Sequence, residues 1–416
     1  MESISDGVQD KIKLREGTPT RTIKMECLPH EIVFNILSRL PITSLVKIKF
    51  VCRAWCDLTL HSHLISSHFL HQIENDPCLI LHSDHPIRNQ IYFLDLSADV
   101  SENDKRVKQF SAPPAMPPEF VIIGSCNGLL CLKGPSPWNK LYIYNPFTRD
   151  QLELPGSTLD SDKDQVFEFG FHPSTKEYKV IKIVYDKIDT LKVTNVHILT
   201  LGRSSSTWRS IGNLPYRFVH HYSRKAFVNG RFHWVFLPQN LVKIRHDSFL
   251  LVSFDLADEK FQEVPKPACP GALEEGISHL AVLGGCLAVA GLALHASIEI
   301  YVMKNYNVKE SWIKEYSIGR YYFGRDLDEN VVVSSRLLIP YLGGPLRVLC
   351  LLKNGEILLH YMHRVLVTYN PKSGSFKDLS FPGMMSWFQT FVHVGSLSWI
   401  DTATAATGTC TYCQVE

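Results

Sequence analysis

The stretch LYIYNPFTRDQLELP, Leu141 to Pro155, decides the fold. It reads as a short β-run, a turn on Asn145-Pro146, and a second β-run opening on Leu152. Apolar residues alternating with polar ones mark a half-buried strand. Proline presets φ at the second turn position, and asparagine bonds to its own backbone. The same plan returns in LLVSFDLADEKFQEVP (250–265) and VLVTYNPKSGSFKDLS (365–380). Strands that turn on Asn-Gly or Gly-Gly recur beside these units: CNGLLCL (Asn127), VNGRFHWVF (Asn229), LGGCLAVAG (Gly284) and KNGEILLHY (Asn354). Such dipeptides supply the positive φ that a tight hairpin requires.

A supersecondary unit returning at regular spacing signals a repeat architecture. The first apolar residue of each closing strand falls at Phe110, Leu152, Trp208, Phe261, Trp312 and Phe376. The steps average roughly 50 residues, the size of a four-stranded blade. The expectation is a kelch-like β-propeller over residues 75–400 with six blades, seven being the rival count. Residues 78–112 read one strand short, while FQTFVHVGSLSWI (388–400) lies beyond the last closing strand. That run is expected to complete the first blade and tie the ring shut. Trp208 and Trp312 are expected to pack between blades.

Upstream the pattern is helical. Ile32, Val33, Ile36, Leu37 and Leu40 fall on one stripe of an α-helix, with Pro29 in its first turn and Pro41 ending it. Leu45, Ile48, Cys52 and Trp55 form a second set. Two or three short helices are predicted between residues 25 and about 70. A core that small is marginal alone and needs something to lean on. Residues 1–24 are polar, carry Gly17 and Pro19, and read as a disordered leader; residues 401–416 read as a flexible tail.

Charge narrows the function classes. Lys+Arg 43 against Asp+Glu 41 gives +2 over 416 residues, no bias toward nucleic acid or anionic membrane. No apolar run approaches the roughly 20 residues of a membrane span. The start of the chain has no apolar core and does not read as a secretory signal. The 11 cysteines are scattered, most within apolar runs, which suits a reducing compartment, nucleus or cytoplasm.

Catalytic motifs are missing. The chain contains no G-x-S-x-G elbow, no phosphate loop and no G-x-G-x-x-G. His30-Glu31 begins like a zinc helix, but Phe34 stands where the second histidine belongs. Cys410 and Cys413 form a CxxC without a partner pair, short of the four ligands of a structural zinc. His220-His221 and His233-Trp234 read as packing residues. No catalytic residue, metal or cofactor is expected.

The helical region resembles the F-box signature. The matching residues are Leu28-Pro29-x-Glu31, Ile36-Leu37-x-x-Leu40-Pro41, Leu45 and Val51-Cys52-Arg53-x-Trp55. CNGLLCL, YNPFTR, FGFHPSTKEYKVIKI and WRSIG resemble the F-box-associated, kelch-like domain of plant F-box proteins. The resemblance implies an F-box over 25–70 and a substrate receptor of an SCF-type cullin–RING ubiquitin ligase. Its F-box would dock on a Skp-type adaptor, and through it on cullin and RING subunits; the propeller would capture a target protein that the sequence does not identify. Carried over by position, Leu28, Pro29, Ile36, Leu37, Leu40, Pro41, Leu45, Val51, Cys52 and Trp55 form the adaptor contact or the small core behind it. Leu28 and Pro29 precede the helix and are the expected direct contacts. Two other readings compete. One is a propeller enzyme with the helices as a cap; the other is a ligand-binding scaffold using aromatics near 216–222 and 321–323.

Overall fold

The computed structural model describes residues 28–85, 90–96, 107–110, 119–135, 140–156, 164–185, 193–202, 207–218, 225–238, 249–268, 277–292, 297–319, 346–361, 363–380 and 387–400. The expected leader, the expected tail with its CxxC, His220-His221 and residues 321–323 lie outside them.

Four helices come first, where two or three were expected: α1 (His30–Ser38), α2 (Ile42–Ile48), α3 (Arg53–Thr59) and α4 (Ser62–Ile73). The set Leu45, Ile48, Cys52 and Trp55 does not share one helix, because the chain breaks between α2 and α3. Each Leu-Pro pair starts a helix. The Pro29 carbonyl accepts from Ile32 and Val33 N–H, and the Pro41 carbonyl from Ser44 and Leu45 N–H. Proline suits these positions because a helix's first N–H groups lack intrahelical partners anyway.

Strands follow in six sheets. Blade 1 contains β1 (Cys78–His85), β2 (Gln90–Asp95) and β3 (Val107–Phe110). Blade 2 is β4 (Val121–Cys126), β5 (Leu129–Lys133), β6 (Leu141–Tyr144) and β7 (Gln151–Glu153). Blade 3 is β8 (Asp164–His172), β9 (Glu177–Tyr185), β10 (Val193–Thr200) and β11 (Arg209–Gly212). In blade 4, β12 (Tyr216–Phe218) and β13 (Lys225–Val228) pair with two parts of the long β14 (Arg231–Pro238), followed by β15 (Leu250–Asp255) and β16 (Phe261–Val264). Blade 5 is β17 (Ile277–Leu283), β18 (Cys286–Leu292), β19 (Ile298–Met303) and β20 (Trp312–Ile318). Blade 6 is β21 (Leu346–Leu351), β22 (Ile357–Tyr361), β23 (Val365–Asn370) and β24 (Ser375–Leu379). The last strand, β25 (Trp387–His393), returns to blade 1 and pairs antiparallel with β1, Cys78 opposite His393. Six blades with a C-terminal closing strand are what the repeat predicted.

The hairpin turns have the required backbone. Asn127 and Gly128 adopt φ of 49° and 84°, Asn229 and Gly230 52° and 74°, Gly284 and Gly285 56° and 76°. Adjacent first strands, β25 beside β4, β4 beside β8, and β13, β17 and β21 in succession, surround the axis. Apolar clusters fill the seams between blades, for example Leu79, Leu349, Leu358, Phe388 and Val392 between blades 6 and 1. Two tryptophans fasten outer edges across seams. Trp208 Nε1 donates to the Pro155 carbonyl and Trp312 Nε1 to the Pro265 carbonyl, each at 2.8 Å.

The ring has two unlike faces. Turns from first to second and from third to fourth strands share one face with the helices. There Lys353, in the β21–β22 turn, donates its N–H to Asp76 Oδ1 at 2.7 Å, just after α4. Longer connections leave from the opposite strand ends, among them 186–192, 239–249 and 319–345.

Candidate functional site

The helical unit does not close its own core. Val33, Phe34, Leu37, Ile42, Leu45, Leu64 and Ile65 join Phe93, Phe147, Phe391 and Leu397 of the propeller in one apolar cluster. Ile42 reaches Gly395, where an added Cβ would lie 2.6 Å from Ile42 Cγ2 and 3.2 Å from Phe147 Cε2. His68, fully buried on α4, bonds through Nε2 to the Leu40 carbonyl at 3.1 Å. Burial pushes its pKa down to about 4, against that hydrogen bond and helped by nearby His71. The helices and the ring are packed as one body at this seam.

On the other side of the unit, apolar side chains remain in solvent. Ile32 and Ile36 are 47% and 45% exposed, Phe50 80%, Val51 67% and Leu60 63%. The expected single stripe on α1 therefore divides: Val33 and Leu37 face the core, whereas Ile32 and Ile36 face outward. In the same unit Leu28, Val33, Phe34, Trp55 and Leu58 line a mainly apolar groove of about 550 Å3, rimmed by His30, His61 and Asp57. Phe34 lies within 6.0, 4.9 and 5.5 Å of the His30, His61 and His63 rings, centre to centre. His61 Nδ1 accepts the His63 N–H at 3.3 Å and so caps α4.

The ten residues carried over from the signature thus separate by environment. Pro29, Ile36, Pro41, Val51 and Cys52 are exposed; Leu28, Leu40 and Trp55 are half-buried; Leu37 and Leu45 are buried. Leu28 and Trp55 line the groove, Pro29 follows Leu28 in the chain, and Leu37 and Leu45 belong to the apolar core cluster. Ile32, Phe50 and Leu60 are exposed apolar residues of the same unit that the signature did not single out. Phe50 was legible as an aromatic with no place in either helical stripe.

The propeller buries several titratable groups. Among the described residues no group of three or more His, Cys, Asp or Glu side chains is arranged to hold a metal ion. Its buried titratable groups are knitted into seams. Both Glu168 oxygens lie 3.0 Å from Lys225 Nζ, and Oε1 also accepts from Trp234 Nε1 at 3.2 Å. Burial lifts the Glu168 pKa to about 6 against these donors. Ser125 Oγ meets His393 Nδ1 at 2.9 Å where β4 passes β25, with both side chains buried. His233-Trp234, read as packing from the sequence, is fully inside the ring.

The fold and the half-open helical unit define an F-box module fused to a propeller. Comparison with known families agrees over nearly the whole chain. Residues 25–71 match an F-box-like domain, and residues 79–397 match the F-box associated beta propeller domain. The chain belongs to the F-box proteins that carry this propeller. It is 46% identical to the F-box protein At3g07870 of Arabidopsis thaliana, across 91% of this chain and 93% of that one. It is also similar to the Arabidopsis thaliana F-box protein CPR1, 29% identical over 71% of this chain and 74% of that one. A third relative is the F-box/kelch-repeat protein At3g23880 of Arabidopsis thaliana, 24% identical over 70% and 79%.

Proposed function

We infer that this chain is the substrate-recognition subunit of an SCF-type cullin–RING ubiquitin ligase. The helical unit docks on a Skp-type adaptor, and the propeller captures a target protein. The observation that carries this reading is the divided helical unit, which is partly built into the propeller core yet leaves Ile32, Ile36, Phe50 and Val51 exposed and carries an apolar groove of its own. Burying such side chains against a partner is worth about 25 cal/mol per Å2 of apolar surface, and a groove between short helices suits an inserted helix.

The faces of the ring divide the labour. The turn face carries the helices, and the long connections leave from the other, where loops on a rigid scaffold are free to specialise. The chain makes and breaks no bond in this mechanism. It holds target lysines at high effective concentration near a charged conjugating enzyme. Mixing the purified full chain with a Skp-type adaptor tests the reading. A stoichiometric complex on gel filtration is expected, and separate elution at micromolar concentrations sinks it.

A further inference from the structure

We propose that Cys52 and Cys56, one turn apart on the third helix, are a paired thiol site that a hydroperoxide oxidises to a disulfide, releasing the helical unit from its adaptor. The site stands on the two thiols alone; the release rests on the receptor reading.

Cys52 is the N-cap of α3, and its thiol caps no helix N–H. The Cys56 N–H donates to the Cys52 carbonyl at 3.0 Å, which sets the two residues one helical turn apart. Four residues of helix rise about 6 Å, within the roughly 4.4–6.8 Å that a disulfide accepts between Cα atoms. Their Cβ atoms, at about 5–6 Å for this spacing, stand wider than the roughly 3.5–4.5 Å of a relaxed disulfide. The backbone at Cys52 supplies the difference. Its φ of −161° and ψ of 172° are extended and lie outside the helix, so Cys52 can turn inward at the expense of the Cys56 hydrogen bond.

Exposure singles out this pair. Among the described residues Cys52 is the exposed cysteine and Cys56 is half-buried, whereas Cys78, Cys126, Cys131 and Cys350 are buried. Burial pushes the Cys78, Cys131 and Cys350 thiols up, which keeps them inert, because the thiolate is the reacting form. Cys286, also half-buried, stands opposite Leu283 across its hairpin and has no second thiol there.

The chemistry takes two steps. The Cys52 thiolate attacks one peroxide oxygen; the O–O bond breaks, the other oxygen leaves and takes up a proton, and Cys52 becomes a sulfenic acid. The Cys56 sulfur then attacks the Cys52 sulfur. The S–S bond forms, the S–O bond breaks, and the remaining oxygen departs as water with the Cys56 proton. Two electrons and two protons thus pass from the thiols to the peroxide. A dithiol reductant reverses the bond, and one closed at unfavourable Cβ spacing is of the readily reduced kind. Transient disulfides of this sort suit a reducing compartment.

Position links the bond to docking. Phe50 and Val51, both exposed, precede Cys52, and Ala54 and Trp55, between the two thiols, line the apolar groove. Closing the bond turns Cys52 toward the helix, carries Val51 with it and opens the first turn of α3.

The test treats the full chain with hydrogen peroxide, blocks the remaining thiols with N-ethylmaleimide and digests with trypsin. Cleavage after Lys49 and Arg53 separates the two cysteines. Residues 50–53 should be recovered joined to the peptide that opens at Ala54, with fragmentation placing the bond on Cys56. The oxidised chain should bind immobilised Skp-type adaptor roughly tenfold more weakly, the effect of displacing a central interface residue, and dithiothreitol should restore the affinity. Cys56→Ser should bind adaptor as the unaltered chain does and keep that affinity through peroxide treatment. A bond from Cys52 to another cysteine or another chain, or no bond at all, overturns the site. A Cys52–Cys56 bond with affinity unchanged overturns the release. If the reduced chain fails to bind adaptor, the receptor reading and the release fall together, while peptide mapping still decides the thiol site.

Discussion

Gly395 and Ile42 meet so closely that a methyl group on Gly395 would lie 2.6 Å from Ile42 Cγ2. Through this contact the second helix rests directly on the segment that follows the ring-closing strand. Gly395→Ala should therefore force the helices off their seat or strain the ring, costing about 1–3 kcal/mol as overpacking does. Ile42→Ala should cost about 2–5 kcal/mol by leaving a cavity. Urea unfolding of the full chain measures both; wild-type midpoints would mean that helices and ring are energetically separate.

Asn145 is the clasp of the ring. Its Nδ2 donates to the carbonyls of Ser396 and Ser398 at 2.9 Å each, while Oδ1 accepts the Phe147 N–H at 2.9 Å. Asn145→Ala strands buried carbonyls at about 1–3 kcal/mol apiece. Asn145→Asp should be at least as harmful, because an oxygen then faces two oxygens. A thermal melt in which the aspartate variant outlasts the alanine variant would contradict this assignment.

Acid should loosen the fold steeply. Burial holds His68 at about 4 and His233 and His393 at about 3, with His360 also well below the ordinary value. Lowered folded-state pKa values mean stability that is fully present above pH 6.5 and is lost as pH falls toward 4 and 3. Each group loses on the order of 1 kcal/mol per pH unit in that window. Glu168, raised to about 6, acts oppositely: its contribution is present below 4.5 and is lost as pH rises through 6. Four histidines outweigh one carboxylate, so Tm should drop sharply between pH 6.5 and 5. His360→Phe, placed against Phe388 where His360 now stacks at 4.9 Å, should flatten that slope. A Tm that holds steady over this range would refute the account.

The proposed adaptor contact can be tested apart from the core. Ile36→Asp and Val51→Asp change side chains that are 45% and 67% exposed, so stability should move by less than about 0.5 kcal/mol. Adaptor affinity should fall at least tenfold. Leu28→Ala with Pro29→Ala should weaken it as well. Interferometry with immobilised adaptor reads the affinity and circular dichroism the fold; equal affinity for all variants would move the contact elsewhere on the unit.

Much of this architecture was legible because blades are announced by local chemistry. Asn127-Gly128 and Asn229-Gly230 adopt the positive φ that their type favours, and five closing strands begin at or beside the apolar residues picked out by spacing, whereas Phe110 ends β3 instead of opening it. The helical unit was read less well. Periodicity places Ile32 and Ile36 beside Val33 and Leu37 but does not say which half of a broad stripe finds a core, since the propeller decides that. Long-range partners left no mark: Asn145 looked like a turn former and is one, yet its amide also holds a segment over 250 residues away. The split edge of blade 4, with β12 and β13 both paired to β14, also left no mark in the repeat pattern.

The closing strand has a consequence for how the chain folds during synthesis. Ser125 on β4 finds His393 on β25 across 268 residues of chain, and the cluster seating the helices includes Phe391 and Leu397. On the ribosome the helices emerge first and wait for nearly the entire chain before their seat exists. A chain not yet translated through β25 has the exposed apolar residues of its helices but no finished seat for them. Completion of the last strand thus acts as a checkpoint: the helices gain a fixed position on the ring only after β25 has been made.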